Sequence, residues 1–268
     1  MRLFVFAGLA VLGGGCAGRL NHAEELARPA GLVRQTVETQ NYSLAAWVRL
    51  SDPARPVTIY IEGDGAAYDG DGNPSLDPTP RKALALSLAT YDPAVNVMYL
   101  ARPCQYVKDS RCRFADWTTR RFDEPAVSAM NEAIDRLIPQ DGKINLVGYS
   151  GGGAIAALLA ERRADVLSLR TITGNLDPAG VNHLHHATEN LSALNPMTDA
   201  SKLSHLPQLH FVGDHDDAVP VSFADRFVQA EGEKSCASVV HVNAAHEEGW
   251  EDAWANLLLY PLPCSRAR

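Results

Sequence analysis

The chain has 268 residues, a formal net charge of −8, 46% hydrophobic residues and 21% charged residues. That length suits one domain with a sizeable core. The acidic balance excludes a nucleic-acid binder, whose phosphate partner it would repel, and a basic membrane-docking face, while leaving a small neutral substrate open.

Met1-Arg2 makes a short positive start, and residues 3–12 are an apolar run. The run is too short for a bilayer core, which takes ~20 residues, so residues 1–15 read as a signal peptide. Gly13-Gly14-Gly15 stands immediately before Cys16. This resembles the lipobox of bacterial lipoproteins, with the departure that Gly13 occupies a position where that family usually has Leu. The resemblance implies cleavage before Cys16, a lipid on Cys16, and an exported cell-envelope protein held to a membrane by that anchor. An ordinary secretory signal cleaved near Cys16 is the alternative. Residues 16–35 read as a tether and 36–268 as a single domain.

Alternation from Gln35 through Val48 predicts an early hairpin. Residues 57–61 (VTIYI) form a β-branched apolar run of buried-strand type, followed by a long Gly, Asp and Pro loop to Pro80. Asp69-Gly70-Asp71-Gly72-Asn73 within it begins like a calcium loop, but Pro74 and Pro80 stand where glycine and glutamate are needed, so it reads as a polar turn. Residues 82–90 are helical in pattern and 96–100 form a strand. Residues 124–137 form an amphipathic helix, 143–147 a strand and 151–163 a helix of small residues. Strands at 168–173, 208–212 and 238–242 and helices at 221–231 and 247–259 complete the chain. Strands alternating with helices predict an α/β fold with a mostly parallel, doubly wound sheet covered on both faces. Residues 174–206 fit neither period and read as a possible small cap beyond the carboxyl end of a strand, where ligands bind. His183, His185 and His186 lie there without cysteine or carboxylate at matching ligand spacing, so neither a metal nor a cofactor is expected.

Gly148-Tyr149-Ser150-Gly151-Gly152 is a G-x-S-x-G motif between a short apolar strand and a small-residue helix. A serine on so sharp a turn needs small neighbours, and the helix N-terminus behind it leaves N–H groups free to face a developing anion. A serine hydroxyl is a weak nucleophile until a base takes its proton. His246 is the best placed base, in the loop after the last strand; His210 and His241 fall inside strands and His22 in the tether. An acid must fix the histidine tautomer, and Asp214, Asp216 and Asp217 all follow the strand at 208–212.

From about Thr36 to Leu259 the chain resembles the α/β-hydrolase fold, with the order Ser…Asp…His. The segment Gly213-Asp214-His215-Asp216-Asp217-Ala218-Val219-Pro220 resembles that family's G-x-x-D-x-x-V-P pattern, which implies Asp216 as the acid, with Asp217 as runner-up. The oxyanion hole would use the backbone N–H groups of Gly151 and Asp64. Glu62-Gly63 stands where the family often has His-Gly, and the side chains of Glu62 and Asp64 are expected to turn away and bond neighbouring loop backbone. The chain also resembles a loosely described group of bacterial lipoprotein hydrolases on its Arg102-Pro103-Cys104 segment, which implies the fold and triad but no agreed substrate. Together these imply a serine hydrolase acting on an ester of small-molecule size. A peptidase or thioesterase of the same fold, and a binding lipoprotein without turnover, are the alternatives.

Beyond Cys16 four cysteines remain, an even number that in an exported chain favours two disulfides. With His246 at the catalytic edge, the last strand runs toward that edge and leaves Cys236 at the opposite end. The final helix returns over ~20 Å and brings Cys264 beside it. Cys104 and Cys112 share one loop. The expected pairs are Cys104–Cys112 and Cys236–Cys264.

Overall fold

The computed structural model describes residues 14–107, 109–188 and 190–264. The expected signal peptide lies outside them except for its last two residues, and so does the side chain of Cys16. The helix α1 (Gly14–Ala27) leads through a 3₁₀ turn into the edge hairpin β1 (Val33–Glu38) and β2 (Ser43–Leu50). There follow β3 (Val57–Ile61), α2 (Leu84–Thr90), β4 (Asn96–Leu100), the short α3 (Phe114–Trp117), α4 (Glu124–Leu137), β5 (Ile144–Tyr149) and α5 (Gly151–Ala160). The chain continues through β6 (Val166–Ile172), α6 (Pro178–Leu184), β7 (Gln208–Gly213), α7 (Ser222–Glu231), β8 (Ala237–Val242) and α8 (Trp250–Leu257). The strands form one open sheet in the order β1-β2-β4-β3-β5-β6-β7-β8. β2 pairs antiparallel with both its neighbours, and every other pairing is parallel.

Period-two alternation divides the core into two layers. In β3 and β4, Ile59, Ile61, Met98 and Leu100 face the layer that holds α4 and α5, while Tyr60, Val97 and Tyr99 face the one that holds α1, α2 and α8. α4 buries Ala126, Val127, Met130, Ala133 and Ile134, the stripe of an amphipathic helix, and carries Pro125 in its first turn, where its missing N–H costs nothing. α5 is buried on every side, as a helix of glycine, alanine and leucine sandwiched under the sheet must be. α8 buries Trp250, Trp254 and Leu257 along one face, and Trp254 Nε1 donates to the Tyr60 hydroxyl at 3.1 Å.

Two sequence expectations change. Residues 16–35 are not a tether: α1 buries Ala23 and Ala27 against the α2 layer, and Arg19 Nη1 donates to the carbonyls of Asp77 (3.1 Å) and Thr79 (2.7 Å). Buried alanines give no hydrophobic period strong enough to see in sequence. The last helix begins at Trp250 and not at residue 247, because Ala245 N–H closes a turn on the Glu248 carbonyl and Gly249 adopts φ 89° before the helix can start.

Cys104 is bonded to Cys112 and Cys236 to Cys264, 8 and 28 residues apart, as the strand directions require. Non-reducing peptide mapping is expected to recover these two pairs. Replacing Cys236 and Cys264 together by serine should lower the unfolding free energy in a denaturant titration by about 3–4 kcal/mol, the loop-closure entropy of a span of that length. A crossed pair would contradict the direction of β8.

Candidate active site

Six parallel strands end on one edge of the sheet, and the segment after each brings one part of a common site. The β5–α5 turn carries Ser150, with φ 50° and ψ −122°, a backbone conformation that side chains other than glycine rarely adopt. The turn closes because its glycines leave no side chain in the way: a Cβ on Gly148 would lie 2.6 Å from Gly153 Cα, and one on Gly152 would strike the carbonyls that end β3.

The loop after β8 carries His246, whose Nε2 lies 2.9 Å from Ser150 Oγ. Trp250 Nε1 braces that loop by donating to the Ala245 carbonyl at 2.8 Å, and the Tyr149 ring lies 5.6 Å from the imidazole. His246 Nδ1 is 2.9 Å from Asp216 Oδ2, in the loop after β7. Asp216 has no exposed side-chain surface. Its Oδ1 accepts the N–H groups of Ala218 (2.8 Å) and Val219 (2.9 Å), and its Oδ2 also accepts the hydroxyl of Thr173, which follows β6. A carboxylate only accepts, so this arrangement puts the proton of His246 on Nδ1 and leaves Nε2 to accept from Ser150. Asp217 is exposed, and Asp214 pairs instead with His241 at 2.7 Å. His210 is fully buried beside Thr171, and burial alone lowers its pKa to about 3.

The loop after β3 lies across Ser150. A Cβ on Gly63 would be 3.2 Å from Ser150 Cβ. Glu62, which is 1% exposed, accepts from the Gly63 N–H and the Tyr99 hydroxyl, both at 2.9 Å. Its carboxylate thus turns onto neighbouring backbone, as expected. Asp64 does otherwise: its carboxylate fills the space that a side chain on Gly151 would take, and two arginines hold it there. Arg121 Nε donates to Oδ2 at 2.8 Å and Arg102 Nη1 approaches Oδ1 at 3.4 Å. Burial lowers the Arg102 pKa to about 10, so it is still a cation at neutral pH. Both guanidiniums lie over the Phe122 ring, at 5.2 and 4.8 Å. The Asp64 charge beside Gly151 is therefore balanced.

The segment 174–206 packs over this edge through α6. Arg121 Nη2 donates to Asn182 Oδ1 at 3.0 Å, Asn190 Nδ2 to the Thr119 carbonyl and Asp123, and Val181 packs with Val219 and Phe223. His183, His185 and His186 are exposed, and His185 Nε2 lies 2.7 Å from the Ala218 carbonyl. Among the described residues no group of three or more His, Cys, Asp or Glu is placed to hold a metal ion. A cavity of about 270 Å³ opens at Ser150 and His246, with Glu62, Asp64, Ala66, Pro80, Tyr149 and Glu247 among its walls. Sequence reasoning passed over Thr173, Gln105 and Arg121. For Thr173 the available signal is its place directly after a strand of the parallel sheet; Arg121 carries none.

No protein-family model matches the sequence, and no curated protein matches it by sequence. Solved structures do match the fold. Est1E from Butyrivibrio proteoclasticus superposes with a TM-score of 0.58 at 13% identity, over 84% of this chain and 97% of that one. The Pyrococcus furiosus esterase Pf2001 gives 0.60 at 11% identity, over 86% and 92%. A bacterial membrane phospholipase A gives 0.56 at 19% identity, over 91% and 89%. The open, mostly parallel eight-stranded sheet is that of the α/β hydrolases.

The loop after β3 has a pH signature. Burial pushes Glu62 from its ordinary 4.5 up to about 7, against the opposing hydrogen bonds of Gly63, Tyr99 and Ala85. Between those two values the folded protein holds a proton that the unfolded chain has released, so stability falls as pH rises through that window. Glu62→Gln removes this ionisation, and the Tyr99 hydroxyl can rotate to accept from the new amide. The drop in melting temperature from pH 5 to pH 8 should be smaller in the variant than in the parent, by an amount worth a few kcal/mol at most. Equal drops would show that Glu62 does not titrate in this range.

Proposed function

We propose that this protein is a serine hydrolase that transfers an acyl group from a carboxylic ester to water. The observation that carries the reading is the pair of 2.9 Å contacts running from Ser150 through His246 to a buried Asp216 that accepts from Ala218, Val219 and Thr173 as well. In this reading Ser150 Oγ attacks the carbonyl carbon and gives its proton to His246 Nε2. His246 passes that proton to the departing alcohol, and the acyl-enzyme is released by a water that His246 deprotonates in turn. Asp216 keeps the imidazole in its productive tautomer and offsets the charge that it gains. The N–H groups of Asp64 and Gly151 hold the developing oxyanion. Among the described residues Asp64 N–H meets no acceptor, and Gly151 N–H belongs to the first turn of α5, where helix geometry leaves it free.

Esterases stand among the fold neighbours beside peptidases, and an ester is preferred because its leaving group asks least of the site. A cavity of about 270 Å³ lies below the usual range for small-molecule sites and fits a short acyl group. The Asp64 carboxylate beside Gly151 favours the rival reading of a binding protein without turnover, but the two arginines on it remove the net repulsion of an oxyanion. The reading also takes in export, with a signal peptide over residues 1–15 and a lipid anchor at Cys16; the two disulfides support an oxidising compartment.

Purified protein should hydrolyse activated esters of about two to four acyl carbons faster than those of eight or more, and should be labelled by a fluorophosphonate. Ser150→Ala should abolish both while leaving the melting temperature near that of the parent; labelling that survives the substitution would remove Ser150 from the role. Asp216→Asn should cost up to ~10⁴-fold in kcat, the scale set by a wrong histidine tautomer in a serine protease. Asp217→Asn should stay close to the parent, and the opposite ranking would move the acid to the neighbouring residue.

A further inference from the structure

An oxyanion donor works only if its N–H is aimed, and for Asp64 the aim is set by its peptide bond. This donor belongs to the Gly63–Asp64 peptide. There are no cis bonds among the described residues, so the Gly63 carbonyl and the Asp64 N–H point to opposite sides of that peptide. Whatever fixes the carbonyl therefore fixes the donor.

Gln105 Nε2 donates to the Gly63 carbonyl at 3.0 Å. Gln105 is 1% exposed, and its other amide atom, Oε1, accepts the Arg102 N–H at 3.0 Å. Turning the amide over would set oxygen against the Gly63 carbonyl and NH₂ against the Arg102 N–H, so its orientation is determined at both ends. The backbone is shaped to deliver this side chain inward. Cys104 and Tyr106, on either side of Gln105, have φ of 71° and 62°, in the left-handed region. Tyr106 N–H is tied to Thr79 Oγ1 at 2.8 Å, and Gln105 N–H to the Arg102 carbonyl at 3.2 Å. Cys104 itself is bonded to Cys112. The same turn supplies Arg102, which faces the Asp64 carboxylate, so one short segment holds both the peptide and the side chain of the donor residue.

We infer that Gln105 is the positioning residue of the oxyanion hole: held by the Arg102–Tyr106 turn and its disulfide, its amide anchors the Gly63 carbonyl and thereby points the Asp64 N–H at the substrate oxygen. The inference rests on the ester-hydrolase reading above. It requires that loss of Gln105 act on the tetrahedral state and not on substrate binding.

The test uses the oxidised full chain with Gln105→Met, which keeps length and removes the donor, and Gln105→Glu, which sets a carboxylate against the Gly63 carbonyl. Hydrolysis of a short activated ester, inhibition by an alkyl boronic acid as tetrahedral mimic, and thermal melting are measured for each. Removing one oxyanion donor outright costs ~10²–10³-fold in kcat, so a misaimed donor should cost ~10- to 100-fold. That loss is expected in kcat, with KM changed by less than ~3-fold and boronate affinity falling in step with kcat. A folded Gln105→Met protein with unchanged kcat, or with weakened kcat but unchanged boronate affinity, overturns the inference. Failure of both variants to fold also overturns it, since Gln105 would then be a structural residue. A parent protein that hydrolyses no ester and takes no fluorophosphonate sinks the functional reading itself, whereas an active parent with unaffected variants sinks this inference alone.

Discussion

Clearance at Ser150 is the constraint on which the rest of the site depends. The turn after β5 must come so close to the end of β3 and to its own helix that Gly148 and Gly152 have no room for a side chain and Gly63 has little. Only that approach brings the loop after β3 across the serine, and only a serine at φ 50° lifts its hydroxyl clear of the sheet toward the loop after β8. The parallel sheet does the rest, because strands that all end on one edge deliver their following loops to one place. Residues as far apart in sequence as Asp64 and His246 meet for that reason and no other.

Charge at the site is arranged in layers of decreasing exposure. His246 keeps some contact with solvent, Asp216 keeps none, and every oxygen of Asp216 is met by a donor. On the opposite side of Ser150 an acidic loop looks hostile to an oxyanion. Each of its carboxylates has its own answer: Glu62 is buried with three donors and protonates more readily than usual, and Asp64 is clamped by Arg102 and Arg121. An isolated buried charge there would be costly, but one met by hydrogen bonds and cations is tolerable.

Most strands and long helices are legible in the sequence because burial on both faces writes runs such as residues 57–61 and 96–100, and because α4 and α8 carry a regular apolar stripe. Ser150 is legible because the glycines that its turn needs are themselves a pattern. His246 and Asp216 are legible from their place after strands, Asp216 with the help of a family resemblance. What the sequence hides is of two kinds. α1 packs through Ala23 and Ala27, and alanines mark no face. The partners of Asp64 lie 38 and 57 residues away in segments without secondary-structure period, and nothing local announces that Arg121 or Gln105 will reach the site. Side chains whose role is fixed by a distant backbone leave no periodic trace.

The disulfides pair consecutive cysteines, first with second and third with fourth among the four that are joined. In a chain that emerges with its N-terminus first, Cys112 is the first of these four to follow Cys104, and Cys264 the first to follow Cys236. Cys104 and Cys112 can close while β5 is still unmade, so the turn beside the loop after β3 can be in place before Ser150 has emerged. Consecutive pairing of this kind can be reached in the order of synthesis, without any reshuffling of bridges among the four.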